Sequence, residues 1–230
     1  MRFECKNITF QYPGSDDHVF RDLSFKITEP GFHAIFGPSG VGKTSFAKIV
    51  TGDIQGFTGD IQTESMKTFL YSYNLERLPG WSSIENHIEK IMPSKRKDRK
   101  DELVDSFGVR EQMDSRFSQL SLGQQNRVNL IRYLLQDFDL LIMDESLANV
   151  DELTRENIIL KIKDMFPEAC FLYISHNVIE VSKFCKHILV FRDNRKNPQI
   201  QAVRGQNYST GQIIEKKDLE LTMLEIMNAS

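Results

Sequence analysis

Short segments in which apolar and polar residues alternate dominate the start of the chain. RFECKNITFQY, VFRDLSFKI and GFHAIF show this pattern, and turn residues separate them. Alternation with a period of two is typical of strands with one buried face. A glycine-rich loop and the helical pattern KTSFAKIVTG follow, and KTFLYSY is a further strand candidate. The amino-terminal part is therefore predicted to be mainly β structure with one early helix.

Apolar runs and helical spacing alternate through the second half. FDLLIMDE and CFLYIS are short apolar runs, the composition that a buried strand requires. Helices are predicted from Ser121 to about Leu134, over about residues 151–166, and from Val178. Strands that alternate with helices favour a parallel sheet covered by helices, so we expect an α/β fold with a mostly parallel sheet.

Two regions depart from this alternation. Residues 82–120 have helical periodicity with a polar middle and no strong strand pattern, which predicts a small helical subdomain inserted into the α/β core. The tail contains a strand pair, HILVFRD and QIQAVRG, and then an amphipathic helix. The predicted apolar face of that helix consists of Leu219, Met223, Ile226 and Met227. No repeat or low-complexity linker is visible, so we expect residues 1–230 to form one domain.

Composition narrows the class of protein. The chain has 230 residues, 40% of them hydrophobic and 27% charged, as in soluble globular proteins. A net charge of −3 argues against a nucleic-acid partner, which usually requires a basic excess. Cys5, Cys170 and Cys185 are odd in number without metal-type spacing, so we expect free thiols. The charged start MRFECKNITF is unlike a signal peptide, and no apolar run reaches the roughly 18 residues of a membrane span.

The strongest candidate chemistry lies in GPSGVGKT, residues 37–44. Glycine, four residues and Gly-Lys-Thr form the P-loop spacing, and here it follows a predicted strand and opens a helix. Backbone N–H groups at such a helix start can bind phosphate, Lys43 can reach the β and γ phosphates, and Thr44 can hold Mg²⁺. The alternative is a glycine-rich turn before a capped helix; the pattern arises by chance in on the order of one chain in a hundred of this size, and the strand–loop–helix context favours nucleotide binding. The predicted ATP-binding residues here are Gly37, Pro38, Ser39, Gly40, Val41, Gly42, Lys43, Thr44 and Ser45.

Two acids end the predicted strand FDLLIMDE. Asp144 lies where the strand meets the sheet edge and fits a Mg²⁺ role. Glu145, one residue on, faces another way and fits the general base that orients the attacking water. Two acids at a strand end are common by chance, but a P-loop about a hundred residues earlier favours the functional interpretation.

The segment LSLGQQNR raises a question about a glycine. Ser121 and Gln124 have the spacing of a capping box at a helix start. Gly123 lies between them, although glycine is unfavourable in a first helical turn unless another group must approach the backbone closely.

Taken together, these motifs resemble the ATP-binding subunits of ABC transporters. LSLGQQNRV is similar to the signature of that family, LLIMDES to its metal and catalytic-acid strand, and SLANVD to its D-loop. YISHN places His176 at the family's switch histidine, and FQYPG places Tyr12 at the aromatic residue that stacks on adenine. The resemblance covers nearly the whole chain in the family's order. It implies a P-loop NTPase core with an N-terminal antiparallel β part and a helical subdomain.

The resemblance also implies a role for each motif. Two ATP-binding domains meet head to tail in this family, and each ATP lies between one P-loop and the signature of the other subunit. Ser121, Gly123, Gln124 and Asp151 are then expected to face ATP held by the partner chain. Catalysis is assigned to Glu145, His176 and Lys43. The other four histidines are expected to be incidental.

Several positions depart from the family pattern. Leu122 replaces the first signature glycine, and Ala148 replaces a D-loop serine. The glutamine that contacts the metal water corresponds to Asn74 by the strand pattern and to Tyr73 by counting back from LPGWSSIEN; we assign Asn74, together with Thr44 and Asp144, to Mg²⁺. Two assigned residues have structural alternatives. Asp151 is also an ordinary helix N-cap, and Tyr12 is also an aromatic residue on an edge strand.

These assignments predict an ATPase that binds ATP and Mg²⁺ and drives transport through separate transmembrane permease subunits. The expected partners are those subunits, a second ATP-binding subunit (identical or homologous) and an extracytoplasmic solute-binding protein. The expected location is cytoplasmic, peripheral on the inner face of the membrane. LERLPGWSSIEN resembles nitrate, sulfonate and taurine importers. Alternatives are the ATPase of an exporter, a weakly hydrolysing regulatory partner and, for residues 82–120, a plain helical lobe without contacts.

Overall fold

The computed structural model describes residues 1–78, 80–93 and 96–230. Residues 94 and 95 of the predicted helical segment and Pro79 of LERLPGWSSIEN lie outside the described residues. The strands of the described part are β1 Arg2–Gln11, β2 His18–Ile27, β3 Gly31–Phe36, β4 Thr58–Glu64, β5 Phe69–Tyr73, β6 Leu140–Asp144, β7 Cys170–Ile174, β8 His187–Phe191 and β9 Ile200–Arg204. Its α-helices are α1 Lys43–Val50, α2 Ile84–Ile91, α3 Lys97–Ser106, α4 Leu122–Leu134, α5 Glu152–Met165, α6 Val178–Phe184 and α7 Lys216–Ala229.

Two sheets organise these elements. The larger has the strand order β5-β6-β7-β3-β8-β9, in which β9 pairs antiparallel with β8 and all other pairs are parallel. The smaller antiparallel sheet has the order β2-β1-β4. The predicted mostly parallel α/β fold with an N-terminal antiparallel part is confirmed. The parallel strands β3, β5, β6 and β7 all end at one edge of the larger sheet, where the predicted site residues follow them.

Apolar residues fill both faces of the larger sheet. Every residue of β6 and β7 is buried, as their continuous apolar sequences predict. Between the two sheets, Phe46 of α1 makes edge contacts with four other rings at centroid distances of 5.4–6.5 Å. These rings are Phe3, Phe20, Phe25 and Phe191. Aromatic rings bury large areas, so this cluster holds the helix after the glycine-rich loop in place.

Helices α2 and α3 lie between β5 and α4 in the chain, in the segment predicted to be helical. Ser83 caps α2, since its side chain accepts a hydrogen bond from the Asn86 N–H group. Ile84 and Ile88 of α2 and Leu103 of α3 are buried in the same cluster as the apolar face of α4. The segment therefore packs on the helix that begins with the candidate signature.

The predicted apolar face of α7 is partly wrong. Ile226 is buried as predicted, but Met227 is 60% exposed, and Thr222 and Ala229 complete the buried face. Apolar residues occur on more than one side of this helix, so periodicity alone does not select the packed side. Thr222 lies on the buried side of α7, where its Oγ1 atom accepts a hydrogen bond of 2.7 Å from the side-chain amide of Gln206.

His33 on β3 is fully buried, although it is expected to be incidental. Its Nε2 atom lies 3.1 Å from the Glu29 carbonyl oxygen, and its ring stacks on that of His187. Burial lowers the pKa of His33 to about 4, because a buried imidazolium would lose its hydration. The side chain of Glu29 stays ionised, since hydrogen bonds from Lys186 and His187 hold the pKa of its carboxyl at about 2.

Acid is therefore expected to destabilise the fold through His33. Between the ordinary histidine pKa of 6.5 and the folded-state pKa of about 4, the unfolded chain binds more protons than the folded chain. The free energy of unfolding then falls as the pH is lowered through this window, by at most about 3 kcal/mol. His33→Gln keeps an amide donor for Glu29 and should flatten the dependence of Tm on pH from 6.5 to 4. Parallel curves for the two proteins would contradict this.

Candidate active site

The glycine-rich loop, residues 37–44, runs from the end of β3 into α1. Gly37 has φ of +151°, and a Cβ atom there would lie 2.4 Å from the Phe191 carbonyl oxygen. Gly42 has φ of +97°, and a Cβ atom there would lie 2.5 Å from a methyl group of Val19. Both positions therefore require glycine. Gly42 is the N-cap of α1 and supplies no side-chain cap, so the first N–H groups of this helix are available to an anion.

Lys43 is buried within the curve of this loop. Its Nζ atom donates hydrogen bonds to the carbonyl oxygens of Gly37 at 2.8 Å and Pro38 at 2.7 Å. Burial lowers the pKa of Lys43, while the nearby carboxylates of Asp144 and Glu145 act in the opposite direction. The loop thus holds an ammonium group beside the helix start, where phosphate oxygens would bind.

Thr44 and Asp144 place two oxygen atoms together at the edge of the sheet. The Thr44 hydroxyl donates a hydrogen bond of 2.7 Å to Oδ2 of Asp144, and the Tyr71 hydroxyl donates one of 2.8 Å to the same atom. Hydroxyl and carboxylate oxygens are the hard ligands that Mg²⁺ prefers, so this pair fits the ion. Among the described residues there is no cluster of three or more His, Cys, Asp or Glu side chains suited to a metal.

Glu145 and His176 form a pair at the same edge. The His176 Nε2 atom lies 2.9 Å from Oε1 of Glu145, and both side chains are more than 40% exposed. Glu145 has φ of +51°, a left-handed conformation that is uncommon for a residue other than glycine. This turn directs Glu145 away from the strand that ends in Asp144. The two residues predicted to act on the γ-phosphate are thus in contact, although their catalytic roles stay predictions.

A buried carboxylate supports the loop that carries His176. Glu180 of α6 is 6% exposed and accepts hydrogen bonds from side chains on both sides of that histidine. The donors are the Tyr173 hydroxyl at 2.9 Å, the Ser175 hydroxyl at 3.2 Å and the Asn177 amide at 3.1 Å. Glu180 is not recognisable from the sequence, because it lies in an ordinary helical pattern.

Arg155 connects this loop to the D-loop candidate. Its guanidinium pairs with Glu180 and donates a hydrogen bond of 2.6 Å to the Val150 carbonyl oxygen. The adjacent Asp151 is the N-cap of α5, since its Oδ1 accepts from the Thr154 N–H group at 3.0 Å. That hydrogen bond lowers the pKa of the Asp151 carboxyl. The structural role of Asp151 is therefore confirmed, and its contact with a partner chain stays a prediction.

Tyr12 lies beside the loop with 44% of its surface exposed. Its hydroxyl is 2.9 Å from the Ser45 hydroxyl, and its ring packs edge-on against Phe10 at 4.9 Å between centroids. Tyr12 lines the cleft, where an adenine ring could reach it. The stacking itself stays a prediction.

One cleft of about 290 Å³ brings most of the predicted residues together. Val19 also lines it and was missed, because the sequence offers no signal that β2 reaches the loop. Ser121, Gly123 and Gln124 are not among its lining residues. The predicted residues that line the cleft are Tyr12, Ser39, Gly40, Gly42, Lys43, Thr44, Ser45, Asp144, Glu145 and His176.

The capping box at the start of α4 is confirmed. The Gln124 side chain accepts from the Ser121 N–H group at 2.9 Å, and the Ser121 hydroxyl accepts from the Gln124 N–H group at 3.3 Å. A Cβ atom on Gly123 would lie 2.4 Å from the carbonyl oxygen of Asn149. The group that approaches this glycine is thus the D-loop of the same chain. Leu122, which is 51% exposed, points to solvent.

Asn74 follows β5 and gives its side-chain carbonyl to α4. The buried Asn126 amide donates to Oδ1 of Asn74 at 2.9 Å and to the Ala148 carbonyl oxygen at 2.6 Å. Both N–H bonds of the Asn126 amide are used, so it joins the segment after β5 to the D-loop. Asn74 also lines a wider cavity of about 760 Å³ with Thr44 and Asp144. The predicted contact between Asn74 and a metal-bound water stays a prediction.

Glu76 fastens the same segment to α4 two residues later. Its carbonyl oxygen accepts from Asn129 at 2.7 Å, and its carboxylate accepts from Arg132 and, at 2.9 Å, from the Tyr133 hydroxyl. Burial, and then the charge of Glu76, raise the pKa of Tyr133. The segment after β5 and the helix that begins with Leu122 are therefore linked along two turns of that helix. Sequence reasoning missed this link, because its partners are more than 50 residues apart.

Comparison with known proteins agrees with this geometry. The profile of the ABC transporter family matches residues 20–148. The chain is 29% identical over 206 residues to the taurine import ATP-binding protein TauB of Ruegeria pomeroyi, with 83% of this chain and 74% of that protein covered. It is 27% identical over 215 residues to the aliphatic sulfonates import ATP-binding protein SsuB of Albidiferax ferrireducens, with 88% and 77% covered.

Solved structures share the fold. An ATP-binding cassette, solved as a dimer in a post-hydrolysis state with ADP and phosphate, superposes with a TM-score of 0.74 at 18% identity, covering 90% of this chain and 100% of that one. A bacterial Atm1-family ABC exporter with ATP bound gives a TM-score of 0.79 at 18% identity, covering 99% and 41%. No helix among the described residues is long and apolar enough to span a membrane. Since the family profile covers more than half of the chain, the protein belongs to the ABC transporter family and is an ATP-binding ATPase of that family.

Proposed function

We propose that this chain is the subunit that hydrolyses ATP to drive solute transport through separate membrane-spanning subunits. The observation that carries the proposal is the single cleft in which the glycine-rich loop, Asp144, Glu145 and His176 face one another. Binding alone would not require a carboxylate–histidine pair beside a phosphate-binding loop, whereas hydrolysis requires a group that orients water.

Each residue of the cleft has a defined task in this proposal. The loop N–H groups and Lys43 hold the β and γ phosphates, and Tyr12 stacks on the adenine. Glu145 accepts a proton from the attacking water, and His176 keeps that carboxylate oriented through their 2.9 Å contact. Thr44 and Asp144 are the residues that would hold Mg²⁺, which when bound withdraws charge from the phosphate oxygens.

We further propose that a second ATP-binding subunit completes the site. The start of α4, with Ser121 and Gly123, combines N–H groups at a positive helix end, and it lies outside the cleft of its own chain. It is suited to contact the γ-phosphate bound by another subunit, identical or homologous. The Asp151 turn, tied to the His176 loop through Arg155, would lie at the same junction.

Two exposed apolar side chains in the segment after β5 suit the membrane-spanning partner. Leu75 is 55% exposed and Trp81 is 80% exposed, next to the helical segment. Leu75 lies between Asn74 and Glu76, which are both hydrogen-bonded to α4. A helix of the partner bound at Leu75 would therefore act directly on α4. We place the chain on the cytoplasmic face of the membrane, because the permease subunits would present such a helix on the side where ATP is available. A net charge of −3 supports no nucleic-acid role.

We propose import as the direction of transport. The sequence relatives named above carry importer names, whereas one structural neighbour is an exporter at lower identity. An importer of this kind would use an extracytoplasmic solute-binding protein, and the membrane and binding subunits would choose the solute. The ATPase of an exporter remains the competing assignment, and the direction of ATP-dependent solute flux in vesicles distinguishes the two.

Trp81→Ala is the variant that tests the transporter assignment. Membrane vesicles from the source organism, stripped of peripheral proteins with urea, should rebind the purified chain saturably. Because a buried interface tryptophan contributes about 2 kcal/mol, the variant should bind about 30-fold more weakly. The control is Ile213→Ala, which removes a 93% exposed side chain elsewhere and should bind as the wild type does. Equal binding by both variants, or no saturable binding, would contradict the assignment.

A further inference from the structure

The Tyr71 hydroxyl is the third polar group at the Thr44–Asp144 pair. Tyr71 lies on β5, beside the strand that ends in Asp144, and its ring is partly buried against the core. Its hydroxyl donates to Oδ2 of Asp144 at 2.8 Å, while Thr44 donates to the same oxygen at 2.7 Å. Hydroxyl groups from β5 and α1 thus fix one carboxylate oxygen at the end of β6.

Packing alone does not account for this hydroxyl. The Tyr71 ring stacks on the Tyr73 ring at 5.4 Å between centroids, a contact that a phenylalanine could make equally well. The phenol O–H is the hydrogen-bond donor in the contact with Oδ2 of Asp144, and a phenylalanine would lack it. A hydroxyl that donates to one carboxylate oxygen restrains the rotation of that carboxylate.

The position of Asn74 strengthens the case for Tyr71. Asn74 is the predicted metal residue of the segment after β5, but its side-chain carbonyl accepts from Asn126 on α4. Among the described residues of β5 and the turn after it, Tyr71 is the one whose side chain donates to Asp144. Outer partners of metal ligands orient them and commonly change metal affinity by about tenfold or more.

We propose that Tyr71 is a positioning residue, which orients the Asp144 carboxylate and so sets the affinity of the nucleotide site for Mg²⁺. The inference rests on the proposed role of Thr44 and Asp144 in holding that ion. It extends the site by a residue that acts through the Asp144 carboxylate.

Tyr71→Phe tests the inference through binding, without turnover. The affinity for a fluorescent ADP, MANT-ADP, is measured in EDTA and then at increasing Mg²⁺ concentration. The variant should bind MANT-ADP in EDTA as the wild type does, but should need about tenfold more Mg²⁺ for half of the Mg²⁺-dependent gain in affinity. A Mn²⁺ titration followed by electron paramagnetic resonance, with ADP present, should give the same shift for direct metal binding.

Tyr208→Phe is the matched control. It removes a phenol from a ring that packs on Phe184, outside the residues that line the cleft, and should leave the Mg²⁺ dependence unchanged. An unaltered Mg²⁺ requirement in Tyr71→Phe, with wild-type Tm, would overturn the role of Tyr71 alone. Absence of any Mg²⁺ effect in the wild type would instead overturn the proposed metal role of Thr44 and Asp144. A shift of equal size in both variants would assign the effect to the loss of any phenol and overturn the inference.

Discussion

Glu145→Gln is expected to lower the rate of ATP hydrolysis at least about a hundredfold while leaving ATP binding intact. A positioned general base contributes about 10²–10⁴-fold to a rate, and a carboxamide cannot accept the proton of the attacking water. The amide oxygen can still accept the hydrogen bond from His176 that the wild type makes at 2.9 Å. The change therefore removes basicity and preserves the shape of the pair. Phosphate release and MANT-ATP binding, measured on the same preparations, separate the two effects.

The same variant is expected to accumulate as an ATP-bound dimer. If two chains close on ATP and open only after hydrolysis, a chain that binds but does not hydrolyse stays closed. Sedimentation with ATP and Mg²⁺ should then show a dimer for Glu145→Gln and mainly monomer for the wild type.

Glu168→Gln controls for the loss of one charge, because it alters an exposed acid between α5 and β7. It should hydrolyse ATP and sediment as the wild type does. A Glu145→Gln protein that keeps a tenth or more of wild-type turnover would show that another group is the base. A wild type that binds ATP without releasing phosphate would favour the weakly hydrolysing regulatory partner, in which Leu122 has altered the signature.

The sequence predicts the fold correctly where a hydrophobic pattern is compatible with only one structure. The run LLIMD is buried at every position and fits only a strand covered on both faces, and it forms the second strand of the larger sheet. The alternating pattern of β1 likewise specifies one buried face. The helix α7 carries apolar side chains on several sides, so the choice of Ile226 and Thr222 as its packed residues depends on the surface it meets.

In the candidate site, motifs made of residues close together in the sequence could be predicted, whereas contacts between residues far apart in the sequence could not. The glycine-rich loop, the capping box and the pair of acids at the end of β6 each consist of residues only a few positions apart, so spacing alone identifies each motif. Tyr71 and Asp144 are 73 residues apart, and Arg155 and Glu180 are 25 apart, and these contacts exist only because particular strands and helices are neighbours. Single residues in ordinary strand and helix patterns carry no sign of such partners.

Gly123 illustrates how a local motif can have an unexpected cause. The sequence requires some close approach to this residue, and the family resemblance suggests a phosphate held by another subunit. The structure places the Asn149 carbonyl oxygen where a Cβ atom would be only 2.4 Å away. The intrachain D-loop contact is thus sufficient to require glycine. It also means that the start of α4 and the Asp151 turn keep a fixed separation, which a partner subunit would meet as one surface.

Gly123→Ala is therefore expected to destabilise the chain even without nucleotide or partner. Alanine is the better helix former by about 1 kcal/mol, so an uncrowded site would gain stability. Here the new Cβ must move by about 1 Å to reach an ordinary contact distance, and overpacking of this kind costs about 1–3 kcal/mol. The net loss after the gain in helix propensity is up to about 2 kcal/mol, so with about 2–4 °C per kcal/mol for a chain of this size Tm should fall, by up to about 8 °C. A shift of about 1 Å can lower a rate about a hundredfold, so hydrolysis should fall on that scale.

The control for this variant is Gly80→Ala, where a Cβ atom would meet nothing within 4 Å. It should change Tm little, and thermal unfolding of both variants without ATP isolates the intrachain contact. If Gly123→Ala keeps wild-type Tm but loses hydrolysis, the glycine is required by a group outside the chain, as the resemblance alone suggests. If it loses both, the contact with Asn149 sets the geometry that the signature presents. The second result would make the D-loop and signature a single preformed element, whose spacing is fixed before any nucleotide binds.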